Sequence, residues 1–174
     1  GTQVLMTLPD AVGLGGVFVI LVAYAGAALG RLDLRQPISL LANLLGGLDL
    51  PPASRIAVQV EKSVEAAMLY LATLRAGHVF LPLNTAYQSA EMAYFIGDAE
   101  PAVVVCASRN FGWVSQIAFT AGTDHVFTLD ADRTGSLLQR ALVCSDQHTP
   151  LRRRGDDLAA ILYTSGTTGR SKGA

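Results

Sequence analysis

The chain has 174 residues, of which 51% are hydrophobic and 16% charged, and its formal net charge is -1. That balance excludes a disordered chain and supplies enough apolar material for one well-buried domain or a section of a larger one. It also removes the long-range pull that draws basic proteins to nucleic acids or anionic membranes, so no nucleic-acid partner is expected.

The chain opens at Gly1 and not at Met, so a processed, tagged or excised start is expected. Residues 11–30 carry no charge, and their length alone permits a membrane span. Five glycines in that stretch (Gly13, Gly15, Gly16, Gly26 and Gly30) and the lack of a basic flank before Asp10 favour a buried helix or strand instead, so a membrane partner is not expected. Gly13-Leu14-Gly15-Gly16 begins like a dinucleotide-binding loop, with Asp33 about where a ribose-binding acid would lie. Phe18 occupies the place of the third glycine and no strand precedes Gly13, so a glycine-rich bend is the better account. Residues 1–37 thus stand apart as an atypical apolar segment ahead of a second region, residues 38–174.

Leu40, Leu41, Leu44 and Leu45 recur at helical spacing and Gly46-Gly47 close the run. From Arg55 strands and helices alternate. Residues 56–60 have strand composition; Ser63 caps a helix with Val64, Met68, Leu71 and Leu74 on one face and Gly77 just past its end. Residues 78–83 form the next strand, which Pro82 ends or places at an edge. Ser89 caps a second helix through Phe95, closed by Gly97. Residues 102–106 are continuously apolar, as in a strand covered on both faces. A helix at 111–121, a strand at 126–129, a short helix at 136–143 and a strand at 158–163 complete the series. Arg152, Arg153 and Arg154 form the one basic run, and Asp156 and Asp157 follow, which reads as a solvated linker. The alternation implies an α/β fold, a parallel doubly wound sheet with helices on both faces, with ligands at the carboxyl ends of its strands.

Cys106 and Cys144 are too few for a disulfide framework and read as reduced thiols of a cytoplasmic protein. His78, His125 and His148 lack ligand-like spacing, and no metal-binding residue is assigned. Asp98, Glu100, Asp130 and Asp156 read as surface or cap carboxylates.

The most informative stretch is the last, Ile161-Leu162-Tyr163-Thr164-Ser165-Gly166-Thr167-Thr168-Gly169-Arg170-Ser171-Lys172. Strand-like residues run into a loop of hydroxyls and glycines that ends in a lysine. Gly166 and Gly169 let backbone N–H groups face an anion, the hydroxyls add donors, and Lys172 adds a mobile charge. The loop reads as an ATP grip. It is not a Walker loop, because the second glycine of that pattern would fall at Ser171. Nor is Ser165 in a nucleophile elbow, since Tyr163 stands where the first glycine belongs.

Position for position, that stretch resembles the phosphate-loop signature of the adenylate-forming, or AMP-binding, superfamily of acyl-CoA synthetases and luciferases. Residues 74–84 resemble a second signature of the same enzymes, which we read as scaffold. Residues 55–109, with Val60-Glu61-Lys62-Ser63 and Asn84-Thr85-Ala86-Tyr87, resemble the malonyl-CoA synthetase branch. The resemblance covers roughly the last two thirds of the chain. Upstream, the Tyr-x-Glu-Leu element usual in the family is missing. The resemblance implies an ATP-dependent acid:CoA ligase that joins a carboxylate, malonate or another dicarboxylate favoured, to CoA through an acyl-adenylate, with Mg²⁺ as cofactor. Its cofactor-binding positions here would be Thr164, Ser165, Gly166, Thr167, Thr168, Gly169 and Lys172. By the same resemblance the magnesium-holding glutamate, the adenine contacts, the acid-reading arginines and the catalytic lysine lie beyond Ala174. The chain is therefore expected to be an N-terminal part of such a ligase, a partial adenylation domain with no catalytic residue of its own and inactive alone. A non-catalytic interaction module that retains the sheet and loop, and a membrane-tethered variant, are the alternatives; the oligomeric state is left open.

Overall fold

The computed structural model describes residues 35–164 and 172–173. The apolar stretch at 11–30 and the glycine-rich bend within it lie outside the described residues. Among those described, no helix is long and apolar enough to cross a membrane.

Helix α1 (Arg35–Gly46) forms where the leucine spacing predicts it and buries Ile38, Leu41, Ala42, Leu44 and Leu45. Strand β1 (Arg55–Gln59) follows, then helix α2 (Val64–Arg75). Ser63 is its N-cap, the hydroxyl accepting from the Ala66 N–H at 3.1 Å; a cap of this kind contributes about 1 kcal/mol. The buried face of α2 differs from the expected stripe. Glu65, Met68, Leu69, Ala72 and Thr73 turn inward while Leu71 is exposed. Ala42 of α1 and Ala72 of α2 are both fully buried in the core that the two helices share. Glu65 survives burial because Arg133 pairs with it at 2.7 Å.

Strand β2 (Val79–Pro82) is followed by helix α3 (Ser89–Ala99). Its N-cap is Gln88 and not Ser89: the Glu91 carboxylate accepts from the Gln88 N–H at 2.7 Å, which closes a capping box. Gly97 does not end it. Ile96 and Ala99 are buried and hold the last turn, and Glu100, at φ 43°, terminates it in the left-handed conformation. Strand β3 (Val103–Cys106) is buried along its whole length, as its composition predicts. A 3-10 turn at Ser108–Asn110 leads into helix α4 (Phe111–Thr120), then strand β4 (His125–Thr128) and helix α5 (Ser136–Ala141).

All four strands are parallel, in the order β2-β1-β3-β4. One face of the sheet, with Ile56, Val58, Val103 and Val105, packs on α1, α2 and α5. The other, with Ala57, Leu81, Val104 and Cys106, packs on α3 and α4. The sheet is doubly wound, and the alternation of its side chains between two cores is why its strands read as continuously apolar.

The strand expected at 158–163 is divided. Beside β2, on the side away from β1, the Phe80 N–H donates to the Ala159 carbonyl at 3.0 Å and the Ile161 N–H to the Phe80 carbonyl at 3.0 Å, a single parallel bridge at Ala160. The next bond of that ladder would need an N–H on Pro82, which has none. Pro82 therefore ends both β2 and the strand beside it.

Candidate functional site

Past the bridge the chain forms a small hairpin. Strand β5 (Tyr163–Thr164) pairs antiparallel with β6 (Lys172–Gly173), with Tyr163 opposite Gly173 and Thr164 opposite Lys172. The two ends of the expected ATP grip, Thr164 and Lys172, are thus brought side by side. The other expected positions, Ser165, Gly166, Thr167, Thr168 and Gly169, lie outside the described residues. The hairpin sits close on the preceding chain: a Cβ on Gly173 would lie 2.8 Å from Ile161 Cγ2 and 3.5 Å from Tyr163 Cζ. Only glycine lets the returning backbone approach that closely.

Tyr163 anchors the base. Its ring lies 4.6 Å, centroid to centroid, from Phe95, and Phe95 in turn stacks on Tyr87 at 4.7 Å. Its hydroxyl donates to Asp98 Oδ2 at 2.5 Å. Burial raises the Tyr163 pKa well above the ordinary phenol value, and the bond to Asp98 raises it further. The phenol therefore stays a neutral donor at any physiological pH. Asp98, expected to be a plain surface carboxylate, has a specific partner in the hairpin, and only the tertiary contact reveals it. Of the other expected carboxylates, Asp130 also reaches along the chain, accepting from the Ser108 N–H at 2.9 Å across 22 residues, whereas Asp156 pairs with its near neighbour Arg154 at 3.2 Å.

The basic run ahead of the hairpin is not uniformly solvated. Arg152 and Arg154 are exposed, but the Arg153 side chain is 26% exposed and fully engaged. Its Nη1 donates to the Gly77 carbonyl at 2.7 Å, its Nη2 to the Leu158 carbonyl at 2.6 Å, and its Nε lies 3.4 Å from Asp157 Oδ2. Charge patterning cannot distinguish this arginine from its neighbours; the carbonyls that select it are 76 and 5 residues away.

At the carboxyl ends of β1 and β2 lies a cavity of about 780 Å³, lined mainly by Val58, Val60, Tyr70, Phe80 and Pro82, with Lys62 and Asn84 also at its wall. Ser63 and Thr85 line it as well, so its apolar residues share the wall with several polar side chains. Gln59, at the end of β1, is buried and donates to the carbonyls of Asn84 and Tyr87 at 3.1 and 3.0 Å, tying the β2–α3 loop to the sheet. Among the described residues no group of three or more His, Cys, Asp and Glu side chains could hold a metal ion. Cys106 is buried, Cys144 is half-buried, and both are free thiols.

The model of the AMP-binding enzyme family matches residues 19–174. The chain belongs to that family. The crystal structure of ATP-bound MatB from Rhodopseudomonas palustris superposes with a TM-score of 0.78 and 51% identity, over 83% of this chain and 28% of that one. The chondramide synthase cmdD of Chondromyces crocatus is 34% identical over 136 residues, 78% of this chain but 3% of its own. The long-chain-fatty-acid–CoA ligase FadD13 of Mycobacterium tuberculosis is 29% identical over 132 residues, 76% of this chain and 26% of its own. The chain therefore spans about a quarter or less of the length of these curated relatives. Its parallel sheet with flanking helices is that of the N-terminal domain of AMP-binding enzymes.

Proposed function

We propose that this chain is the ATP-gripping part of an AMP-forming acid:CoA ligase of the malonyl-CoA synthetase branch, working in the cytoplasm with its two thiols reduced. The observation that carries the proposal is the 51% identity to MatB, a malonyl-CoA synthetase crystallised with ATP, against 34% or less for the chondramide synthase and fatty-acid ligase relatives above.

In this reading the loop from Thr164 to Lys172 holds the β- and γ-phosphates of ATP. Backbone N–H groups and hydroxyls of residues 164–169 supply donors, and Lys172 supplies charge. A dicarboxylic acid, malonate favoured, attacks the α-phosphate through one carboxylate; an acyl-adenylate forms and pyrophosphate leaves. The CoA thiol then displaces AMP to give the thioester. The barrier is largely electrostatic, so a preorganised set of donors at the departing phosphates accelerates the first step. Mg²⁺ would share that charge; no loop position carries a carboxylate, so no magnesium-holding residue is assigned in this chain.

The test is to incubate the full-length protein with ATP, Mg²⁺ and CoA plus one acid at a time, and to measure AMP and the CoA thioester. AMP release that depends on malonate and exceeds that with methylmalonate, long-chain fatty acids or amino acids is the expected result. Turnover with a fatty acid or an amino acid but not malonate would move the substrate elsewhere within the family. No ATP cleavage with any acid would overturn the ligase reading.

A further inference from the structure

The linker from residue 145 to residue 158 is strapped across the helix ends that precede β1 and β2. Asn43 Nδ2 donates to the Gln147 carbonyl at 2.9 Å, the Leu151 N–H donates to the Arg75 carbonyl at 3.2 Å, and the Leu151 side chain packs where Gly77 has no Cβ. These contacts secure the first half of the linker. The second half is held by Arg153. Its guanidinium spans the Gly77 carbonyl, in the turn that enters β2, and the Leu158 carbonyl, one residue ahead of the bridge to β2. Asp157 orients it from the third side and also accepts from the Arg154 N–H at 2.8 Å.

We propose that Arg153 is a positioning residue for the ATP-holding loop. By bonding the carbonyls of Gly77 and Leu158 at once, it sets the register of residues 159–161 against β2. Thr164, the first residue of the grip, follows Ile161 by three positions, and Lys172 is paired with it. The bridge consists of two backbone hydrogen bonds and ends at Pro82, so its own ladder specifies the register weakly. A one-residue slip would carry Thr164 and Lys172 by about 3.3 Å and reverse the faces of Ile161 and Tyr163. The rigid fork of an arginine can hold two carbonyls and a carboxylate together; the single ammonium of lysine cannot do so in the same geometry. Because Asn43 and Leu151 hold the first half of the linker independently, loss of Arg153 loosens the approach to the loop and leaves the sheet intact.

This inference rests on the ATP-binding reading above, and calorimetric titration of MgATP into the full-length wild-type, R153A and R153K proteins, with the thermal midpoint of each unliganded sample, separates the two. Wild-type protein that binds no MgATP overturns the ATP reading and this inference with it. Where the wild type binds, R153A is expected to bind MgATP about tenfold or more weakly, which is ~1.4 kcal/mol, with a thermal midpoint close to wild type; R153K falls between the two. R153A with wild-type affinity overturns the inference while the ATP reading stands. If R153A does not fold, R153K decides by the same criterion: weakened binding at an unchanged midpoint supports the positioning role, and wild-type binding overturns it.

Discussion

The Tyr163 hydroxyl donates to Asp98 Oδ2 at 2.5 Å and so fastens the first residue of the loop hairpin to the last turn of α3. Tyr163→Phe keeps the ring contact with Phe95 and removes only this bond. Because Asp98 is exposed, the expected cost is modest, about 0.5–1.5 kcal/mol of unfolding free energy in a urea titration. The pH dependence adds a second reading. The folded-state pKa of Tyr163 is raised above its unfolded value near 10.0, so its contribution to stability is complete below pH 10 and is lost as pH rises above it. The wild type is expected to lose stability above pH 10 more steeply than Tyr163→Phe; identical alkaline limbs would show that the phenol ionises as readily in the fold as outside it.

Lys172→Ala removes the one ammonium of the proposed grip. Loss of a charge-assisted contact to phosphate costs about 1.5–3 kcal/mol, equivalent to an affinity loss of about 10- to 150-fold. The change is expected in the dissociation constant for MgATP and not in the thermal midpoint of the unliganded protein. Unchanged MgATP affinity would remove Lys172 from the site.

His78 stands in the turn between α2 and β2, 5% exposed, with no hydrogen-bond partner for its Nδ1. Burial, and then the neighbouring Arg153 charge, lower its pKa below 6.5. The unfolded chain takes up a proton at pH values where the folded chain does not, so stability is complete above pH 6.5 and declines as pH falls through the folded-state pKa. His78→Leu is expected to shrink the difference in unfolding free energy between pH 7 and pH 5. A difference equal to that of the wild type would assign the acid sensitivity to other groups.

Cys106 lies at the end of β3, fully buried, and burial, with some help from the Asp130 charge, pushes its thiol up to about 12. Thiolate is the reactive form, so the thiol is doubly protected. A disulfide reagent is expected to titrate the half-buried Cys144 in the native protein and to reach Cys106 only after denaturant is added. Rapid modification of both thiols in buffer would mean that β3 opens locally.

What the sequence by itself determined is the set of features that depend on near neighbours: the alternation of strands and helices, the Ser63 cap, the fully apolar β3, and a phosphate-loop signature long enough to point to the family before any coordinates. Local chemistry decides these, because a capping hydroxyl, a proline without an N–H or a glycine in a turn acts within a few residues of itself. The tertiary structure decided the rest. Which face of α2 is buried depends on α1, with which it shares one core; the end of α3 depends on Ile96 and Ala99 reaching a core shared with Val104; the break in the 158–163 strand depends on Pro82, about 80 residues earlier in the chain. Asp98 and Arg153 are the clearest cases. Each has the sequence context of an ordinary surface charge, and each is selected by a partner distant in sequence, Tyr163 and Gly77, that only the packed sheet brings within hydrogen-bonding distance.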